Sequence, residues 1–131
     1  MDRRTVIVLL AFAAIGPLSV RAAGVLQWER LSVDVTTRAH QRVVHVDFPF
    51  RNSGDQPLTI VSVETSCRCT SAETSKRTFA SGEKGTMGVD VALDGQEGVV
   101  EKSVTVTTDG AESKPLALAI RIANPRAPAA N

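Results

Sequence analysis

Hydrophobic and polar residues alternate along most of the chain beyond residue 30, whereas the period of 3.6 that marks a helix is nearly absent. In a strand, alternation puts apolar side chains on one face and polar side chains on the other. Six stretches show this pattern: 31–37, 43–50, 58–65, 87–93, 100–106 and 116–122. In the third stretch the apolar phase slips between Ile60 and Val61, which predicts a β-bulge there.

Clusters of turn-forming residues separate these stretches, at 51–57, 81–85, 94–98 and 109–110. Strands that are apolar on one face only must bury those faces between two sheets. Six or seven short strands in about a hundred residues are typical of a sandwich. The sequence therefore predicts an all-β fold, an immunoglobulin-like antiparallel β-sandwich of about seven strands. A small closed barrel is the structural alternative.

The first residues follow the plan of a secretory signal peptide. A basic start, Asp2-Arg3-Arg4, precedes an apolar run over 5–15, a break at Gly16-Pro17 and small residues around Ala22. The apolar run is too short to span a bilayer comfortably as a permanent anchor. Cleavage after Ala22 is therefore expected, and no stable membrane anchor is expected after cleavage.

These features divide the chain into three parts. We expect a signal peptide over 1–22, one sandwich domain over 23–123, and a flexible tail over 124–131 that is rich in proline and alanine. The protein would be exported, to the periplasm or outside the cell.

The charge of the chain excludes one class of partner. The formal net charge is +1, and it becomes −1 when Asp2, Arg3, Arg4 and Arg21 leave with the signal peptide. Charges of both signs are spread without blocks, as on a solvated surface. A nucleic-acid partner needs a basic surface, so none is expected. We expect a protein partner, whose identity the sequence does not give.

Four motifs resemble a bacterial family, the domain of unknown function 1573. The family reads F-x-F-x-N-x-G-x-x-P-L-x-I, then S-C-G-C-T, P-G-E and a closing K-x-I-x-V-x-T/S strand. Its counterparts here are Phe48-Pro49-Phe50-Arg51-Asn52-Ser53-Gly54-Asp55-Gln56-Pro57-Leu58-Thr59-Ile60, Ser66-Cys67-Arg68-Cys69-Thr70, Ser81-Gly82-Glu83 and Lys102-Ser103-Val104-Thr105-Val106-Thr107.

The resemblance extends from about Trp28 to Ile122. It implies an immunoglobulin-like sandwich of the Hydin type in an exported bacterial protein, and it implies no activity. Two positions depart from the family pattern: Arg68 replaces the glycine between the cysteines, and Ser81 replaces the proline before Gly82. A glycine at this position could adopt backbone angles that an arginine takes up reluctantly.

Cys67 and Cys69 are the two cysteines of the chain, and export would place them where disulfides form. In an extended strand, residues two apart point to the same side with their β-carbons too far apart for a disulfide. A bridge therefore requires a tight turn at Arg68. It would close a very small loop and contribute little stability, because loop-closure entropy grows with loop length.

Three interpretations of this pair stay open. The pair is structural, or it is a thiol redox site, or it binds copper(I) or zinc through two thiolates. Zinc in a structural site takes four ligands, and no convincing third or fourth is visible. Cys67 and Cys69 are thus candidate redox or metal residues, and no other cofactor is expected.

No catalytic residues are predicted. His45 and Asp47 share the polar face of their strand, a pattern typical of an exposed surface, and no nucleophile, base and oxyanion site can be assembled around them. The sequence favours a non-catalytic module with an interaction or structural role, binding through a sheet edge or through loops. The alternative is a thiol redox or metal-binding protein that uses the Cys-x-Cys motif.

Overall fold

The structure is a computed structural model and describes residues 24–110 and 114–125. The predicted signal peptide, 1–22, lies outside the described residues, as do residues 126–131 of the predicted tail. Within the described ranges there are nine strands: β1 (Leu26–Trp28), β2 (Ser32–Thr36), β3 (Val43–Asn52), β4 (Leu58–Thr65), β5 (Thr70–Glu73), β6 (Thr78–Phe79), β7 (Lys84–Ala92), β8 (Gly98–Thr108) and β9 (Leu116–Asn124). No helix in these ranges has the length and apolar character to cross a membrane.

The strands form two sheets, ordered β1-β3-β7-β5 and β2-β9-β8-β4-β6. Their apolar faces pack against each other, which confirms the predicted all-β sandwich. The number of strands exceeds the predicted seven because β1, β5 and β6 have only three, four and two residues, too few to show a period. One pair also departs from the predicted antiparallel arrangement: the chain leaves the first sheet after β1, and β2, the edge strand of the second sheet, runs parallel to β9.

The core consists of the alternating apolar residues that the pattern predicts. In β3, β7 and β9, every second side chain is buried. The predicted bulge is also confirmed, since the pairing of β4 with β8 shifts register between Ile60 and Ser62. The buried hydrophobic residues are Leu26, Val44, Val46, Phe48, Phe50, Leu58, Ile60, Phe79, Met87, Val89, Val91, Leu93, Val104, Val106, Leu118, Ile120 and Ile122.

Three aromatic rings join the two sheets beside β1. The centroids of Trp28 and Phe50 are 4.7 Å apart, and those of Phe50 and Phe79 are 4.8 Å apart with the rings edge to face. Gly85 lies directly against them: a Cβ there would approach Phe79 Cε1 to 2.5 Å and Phe50 Cζ to 2.6 Å. The absence of a side chain at Gly85 thus allows the rings to pack against the backbone of β7.

The prediction that residues 51–57 form a loop is wrong for its first two positions, because β3 continues to Asn52. The Asn52 side chain is fully buried. Its Nδ2 donates hydrogen bonds to the carbonyl oxygens of Gln56 (2.8 Å) and Phe79 (3.1 Å), and its Oδ1 accepts one from the Gly54 amide (3.0 Å). A turn-forming residue type is used here to close one end of the sandwich.

A second buried amide closes the opposite end. Asn124 was predicted to begin the flexible tail, but it is the last residue of β9 and is buried. Its Oδ1 accepts a hydrogen bond from the Thr37 hydroxyl (2.6 Å), and its Nδ2 donates one to the carbonyl of Gln96. These bonds tie the ends of β9 and β2 to the loop before β8.

Replacement of Asn52 tests the first closure. Asn52→Ala removes the side-chain partner of three hydrogen bonds and leaves buried backbone groups unsatisfied. We expect a loss of about 3 kcal/mol in the free energy of unfolding, measured by urea denaturation. Gln56→Ala is the matched control in the same loop, because it keeps the carbonyl and removes only an exposed side chain; a similar loss in both variants would contradict the assignment.

Candidate functional site

The Cys-x-Cys segment lies where the chain crosses from one sheet to the other, between the end of β4 and the start of β5. Cys67 and Cys69 form a disulfide, with their Cα atoms 5.1 Å apart. Two residues of extended strand would span about 6.6 Å, so the backbone is folded at Arg68. The tight turn that a bridge would require is present, and the sulfurs are bridged.

Backbone hydrogen bonds fasten this turn to both sheets. The Ser66 amide donates to the carbonyl of Ser103 in β8 (3.0 Å), and the Ala92 amide at the end of β7 donates to the carbonyl of Cys69 (2.7 Å). The carbonyl of Cys67 accepts a hydrogen bond from the Thr70 amide, at 3.1 Å. The path of the turn is thus held by contacts that do not involve sulfur.

Arg68 fits this turn without a left-handed backbone. Among the described residues, His40 and Asp94 are the non-glycine positions with positive φ, so Arg68 adopts an ordinary conformation. Its side chain is exposed, and no carboxylate of the described residues lies within 4 Å of the guanidinium. The departure from the family glycine therefore does not prevent the turn from forming.

The two sulfurs have different surroundings. Cys67 Sγ accepts a hydrogen bond from the Cys69 amide (3.1 Å), whereas Cys69 Sγ lies 3.8 Å from the Thr70 hydroxyl. Both cysteines are partly exposed. No cluster of three or more histidine, cysteine or acidic side chains able to hold a metal occurs in the part of the chain that the structure describes. Binding of copper(I) or zinc by the reduced pair stays a prediction of the sequence.

A second polar cluster occupies the outer face of the four-stranded sheet. His45 in β3 lies between Asp47 of the same strand and Asp90 of β7, whose register places Asp90 directly opposite it. The distances are 2.6 Å from Nδ1 to Asp90 Oδ1 and 3.0 Å from Nε2 to Asp47 Oδ1. The sequence pattern shows the His45–Asp47 pair; the contribution of Asp90 follows from the strand register.

This arrangement favours a charged imidazole. Ionised carboxylates only accept hydrogen bonds, so both ring nitrogens of His45 must donate. The pKa of His45 is raised above 6.5, chiefly by the hydrogen bond to Asp90 and next by the one to Asp47. Burial lowers this pKa by a smaller amount. Since neither nitrogen is free to take a proton from a neighbouring hydroxyl, His45 is not placed as a general base.

The third feature is the free edge of β1. Gln27 at the centre of β1 pairs with Arg51 of β3. On one side of this pair the Ser53 amide donates a hydrogen bond to the Val25 carbonyl. On the other side the Glu29 amide donates one to the Pro49 carbonyl. In this antiparallel pattern, the residues in between direct their backbone groups away from β3. The N–H and C=O groups of Leu26 and Trp28 therefore point to the open edge, without backbone partners among the described residues.

An apolar groove runs along this edge. It has a volume of about 640 Å³ and lies between β1 and the ends of β8 and β9, where Val106 and Leu116 contribute to its wall. Two exposed apolar side chains flank it, Val25 (44% exposed) and Leu31 (49%), and the half-buried Trp28 lines it. Backbone groups with free hydrogen-bonding capacity and an apolar groove thus occur side by side.

The other edge strands are better protected. β2 carries Asp34 at its centre and β5 ends on Glu73, and a charge on an edge strand discourages pairing with another chain. β6 is only two residues long. β1 combines an uncharged strand with an adjacent apolar groove, whereas β2 and β5 each carry a charge.

Removal of the disulfide tests whether it is structural. Its loop of three residues implies a loss of about 1.6 kcal/mol from unfolded-chain entropy. We expect the double variant Cys67→Ser, Cys69→Ser to fold and to lose no more than this, measured by urea denaturation against the oxidised protein. A loss above about 4 kcal/mol would show that the bridge is a main structural support.

The His45 cluster predicts a pH dependence. The pKa of His45 is raised in the folded state, so the cluster contributes to the free energy of unfolding. This contribution is complete at a pH below the unfolded-state pKa of about 6.5, and it is lost as the pH rises through the folded-state pKa. His45→Gln should therefore destabilise more at about pH 5.5 than at about pH 9, by less than about 1 kcal/mol because the ring is largely exposed.

Proton NMR titration of His45 tests the same cluster directly. Asp90→Asn should lower the pKa of His45 more than Asp47→Asn does, since the hydrogen bond to Asp90 has the larger effect. Equal shifts in the two variants, or none, would contradict this geometry.

Comparison with solved structures shows the same fold in proteins of low sequence identity. A protein of unknown function from Porphyromonas gingivalis W83 is similar with a TM-score of 0.68 and 13% identity, over 76% of this chain and 46% of its own. The Vibrio cholerae VesB protease is similar with a TM-score of 0.63 and 18% identity, over 76% of this chain and 32% of its own. The ASH / PapD-like domain 7 of human CEP192 is similar with a TM-score of 0.63 and 9% identity, over 97% of this chain and 100% of its own.

The chain spans less than half the length of the first two of these structures. A search of curated protein sequences finds no match. Residues 26–122 match the model of a family described as "Protein of unknown function (DUF1573)". This match covers more than half of the chain and confirms the resemblance carried by the four motifs: the chain belongs to the DUF1573 family.

Proposed function

We propose that this protein is an exported, non-catalytic interaction module that binds an extended polypeptide segment as an additional strand beside β1. The observation that carries the proposal is the free edge of β1, where the backbone groups of Leu26 and Trp28 lie beside an apolar groove. An added strand would satisfy these groups by main-chain hydrogen bonds, and pockets for alternate side chains would supply specificity.

The geometry also suggests which residues the partner needs. The side chains of Leu26 and Trp28 point toward the interior of the sandwich. In a strand paired with β1, every second side chain would point the same way and enter the groove between β1 and Leu116. A partner segment with apolar residues at alternate positions fits this arrangement.

Two further observations support a binding role. The family match and the sandwich fold, shared with a PapD-like domain, fit a non-catalytic interaction module. Both nitrogens of the His45 imidazole are hydrogen-bonded to carboxylates, so this ring is not placed to act as a general base. The proposal of export depends on the leader over 1–22, and it places the partner in the periplasm or outside the cell.

The single tryptophan of the chain is a direct probe of the groove, because Trp28 lines it. Peptides of about ten residues would be selected from a displayed library on the immobilised protein and then titrated by Trp28 fluorescence. We expect selected peptides with alternating apolar residues, and at least tenfold weaker binding to Leu31→Asp and Val25→Asp. Val99→Asp is the matched control, since Val99 is 57% exposed and lies outside the groove.

Backbone methylation of the peptide tests strand addition itself. N-methylation of the residues whose amides face β1 should abolish binding, and N-methylation of the alternate residues should leave it within about threefold. Equal effects at all positions would mean that the groove binds side chains without adding a strand. Failure to select any peptide, or equal binding to Leu31→Asp and Val99→Asp, would overturn the proposal.

A further inference from the structure

We propose that the Cys67–Cys69 disulfide is a reversible thiol-exchange site in which the two sulfurs have different roles, with Cys69 attacked and Cys67 the leaving thiolate. The inference does not depend on strand binding at β1, because the disulfide lies at the crossover between β4 and β5. The expected substrates are thiols, and dithiols in particular, of the compartment in which the protein resides.

The fold holds the two sulfurs together whether or not they are bonded. The turn is attached to β8 through Ser66 and to β7 through the carbonyl of Cys69, and the carbonyl of Cys67 accepts hydrogen bonds from the Thr70 amide and the Thr65 hydroxyl. None of these contacts uses a sulfur atom. Reduction therefore leaves the backbone path in place and keeps the thiols positioned to bridge again.

The energetic contribution of the bond is also small. A disulfide that links residues two apart closes a short loop, and the entropy removed from the unfolded chain is correspondingly low. A bond of this kind adds little as a structural clamp. Since the turn is already fixed by hydrogen bonds, reversible exchange accounts for the pair better than a structural role does.

A hydrogen bond distinguishes the two sulfurs. The backbone amide of Cys69 donates to Cys67 Sγ at 3.1 Å, and a hydrogen bond to the charged form of a group favours that form. Cys69 Sγ has the Thr70 hydroxyl at 3.8 Å, and no amide of the described residues donates to it. Cys67 is therefore the better leaving group.

The exchange balances in two steps. A substrate thiolate attacks Cys69 Sγ; a bond forms between these sulfurs, the Cys67–Cys69 bond breaks, and its electron pair leaves on Cys67 Sγ, where the Cys69 amide stabilises it. The second thiolate of the substrate dithiol then attacks the substrate sulfur of the mixed disulfide. The substrate dithiol is oxidised to a disulfide. Cys67 and Cys69 gain its two electrons and take up the two protons that the substrate thiols lose.

Redox titration with glutathione tests reversibility. The full-length protein would be equilibrated with mixtures of reduced and oxidised glutathione, its free thiols alkylated, and the products weighed by mass spectrometry. We expect complete and reversible reduction, with an unchanged far-ultraviolet dichroism spectrum and a melting temperature lowered by only a few degrees. Reduction that occurs only in denaturant, or that unfolds the protein, would overturn the proposal.

The position of the glutathione adduct tests the roles of the two sulfurs. Trypsin cleaves after Arg68 and so separates Cys67 and Cys69 into different peptides. After a short reaction with reduced glutathione and an acid quench, we expect the adduct on Cys69 in at least tenfold excess. The same reaction in guanidinium chloride is the control, because the amide hydrogen bond is lost on unfolding and the excess should disappear. An equal distribution in the folded protein, or an excess on Cys67, would contradict the assignment.

The two single variants provide an independent measurement. Cys69→Ser keeps Cys67, and Cys67→Ser keeps Cys69, so thiolate absorbance at 240 nm follows each thiol alone. Cys67 should ionise at a lower pH than Cys69. The opposite order would overturn the proposed roles even if the bond proved reducible.

Discussion

The burial of two apolar sheet faces against each other is the interaction on which the rest of this structure depends. Each long strand contributes every second side chain to one common core, from Phe48 in β3 to Met87 in β7 and Ile120 in β9. Burial on this scale is the main favourable term in folding. It leaves the outer faces and the sheet edges unconstrained, and every candidate functional feature lies on one of these or on the crossover between the sheets.

The same burial creates a problem at each end of the sandwich, where strands stop and backbone polar groups must find partners. Asn52 and Asn124 solve it with buried side-chain amides that bond to neighbouring loops. The crossover at Cys67 is held in a comparable way, by backbone bonds to both sheets. These backbone bonds hold the turn without using either sulfur atom.

Sequence patterns were reliable where the cause is local. The phase slip at Ile60 and Val61 marked a true bulge, and the turn at Arg68 that a bridge between the cysteines would require accompanies the disulfide. The turn-forming tendency of asparagine was misleading. Asn52 and Asn124 belong to a residue type that favours turns, yet both end strands, because the hydrogen bonds that bury their amides come from residues distant in the chain or in neighbouring loops.

By itself the sequence determined the fold class, the faces of the long strands, the family and the candidate cysteines, because periodicity and short motifs record which side chains are buried together. Only the tertiary structure decided the partners across strands: the parallel pairing of β2 with β9, the position of Asp90 beside His45, and the free edge of β1. Register and sheet order depend on contacts between residues far apart in the chain, and alternation within a single strand carries no information about which strand lies beside it.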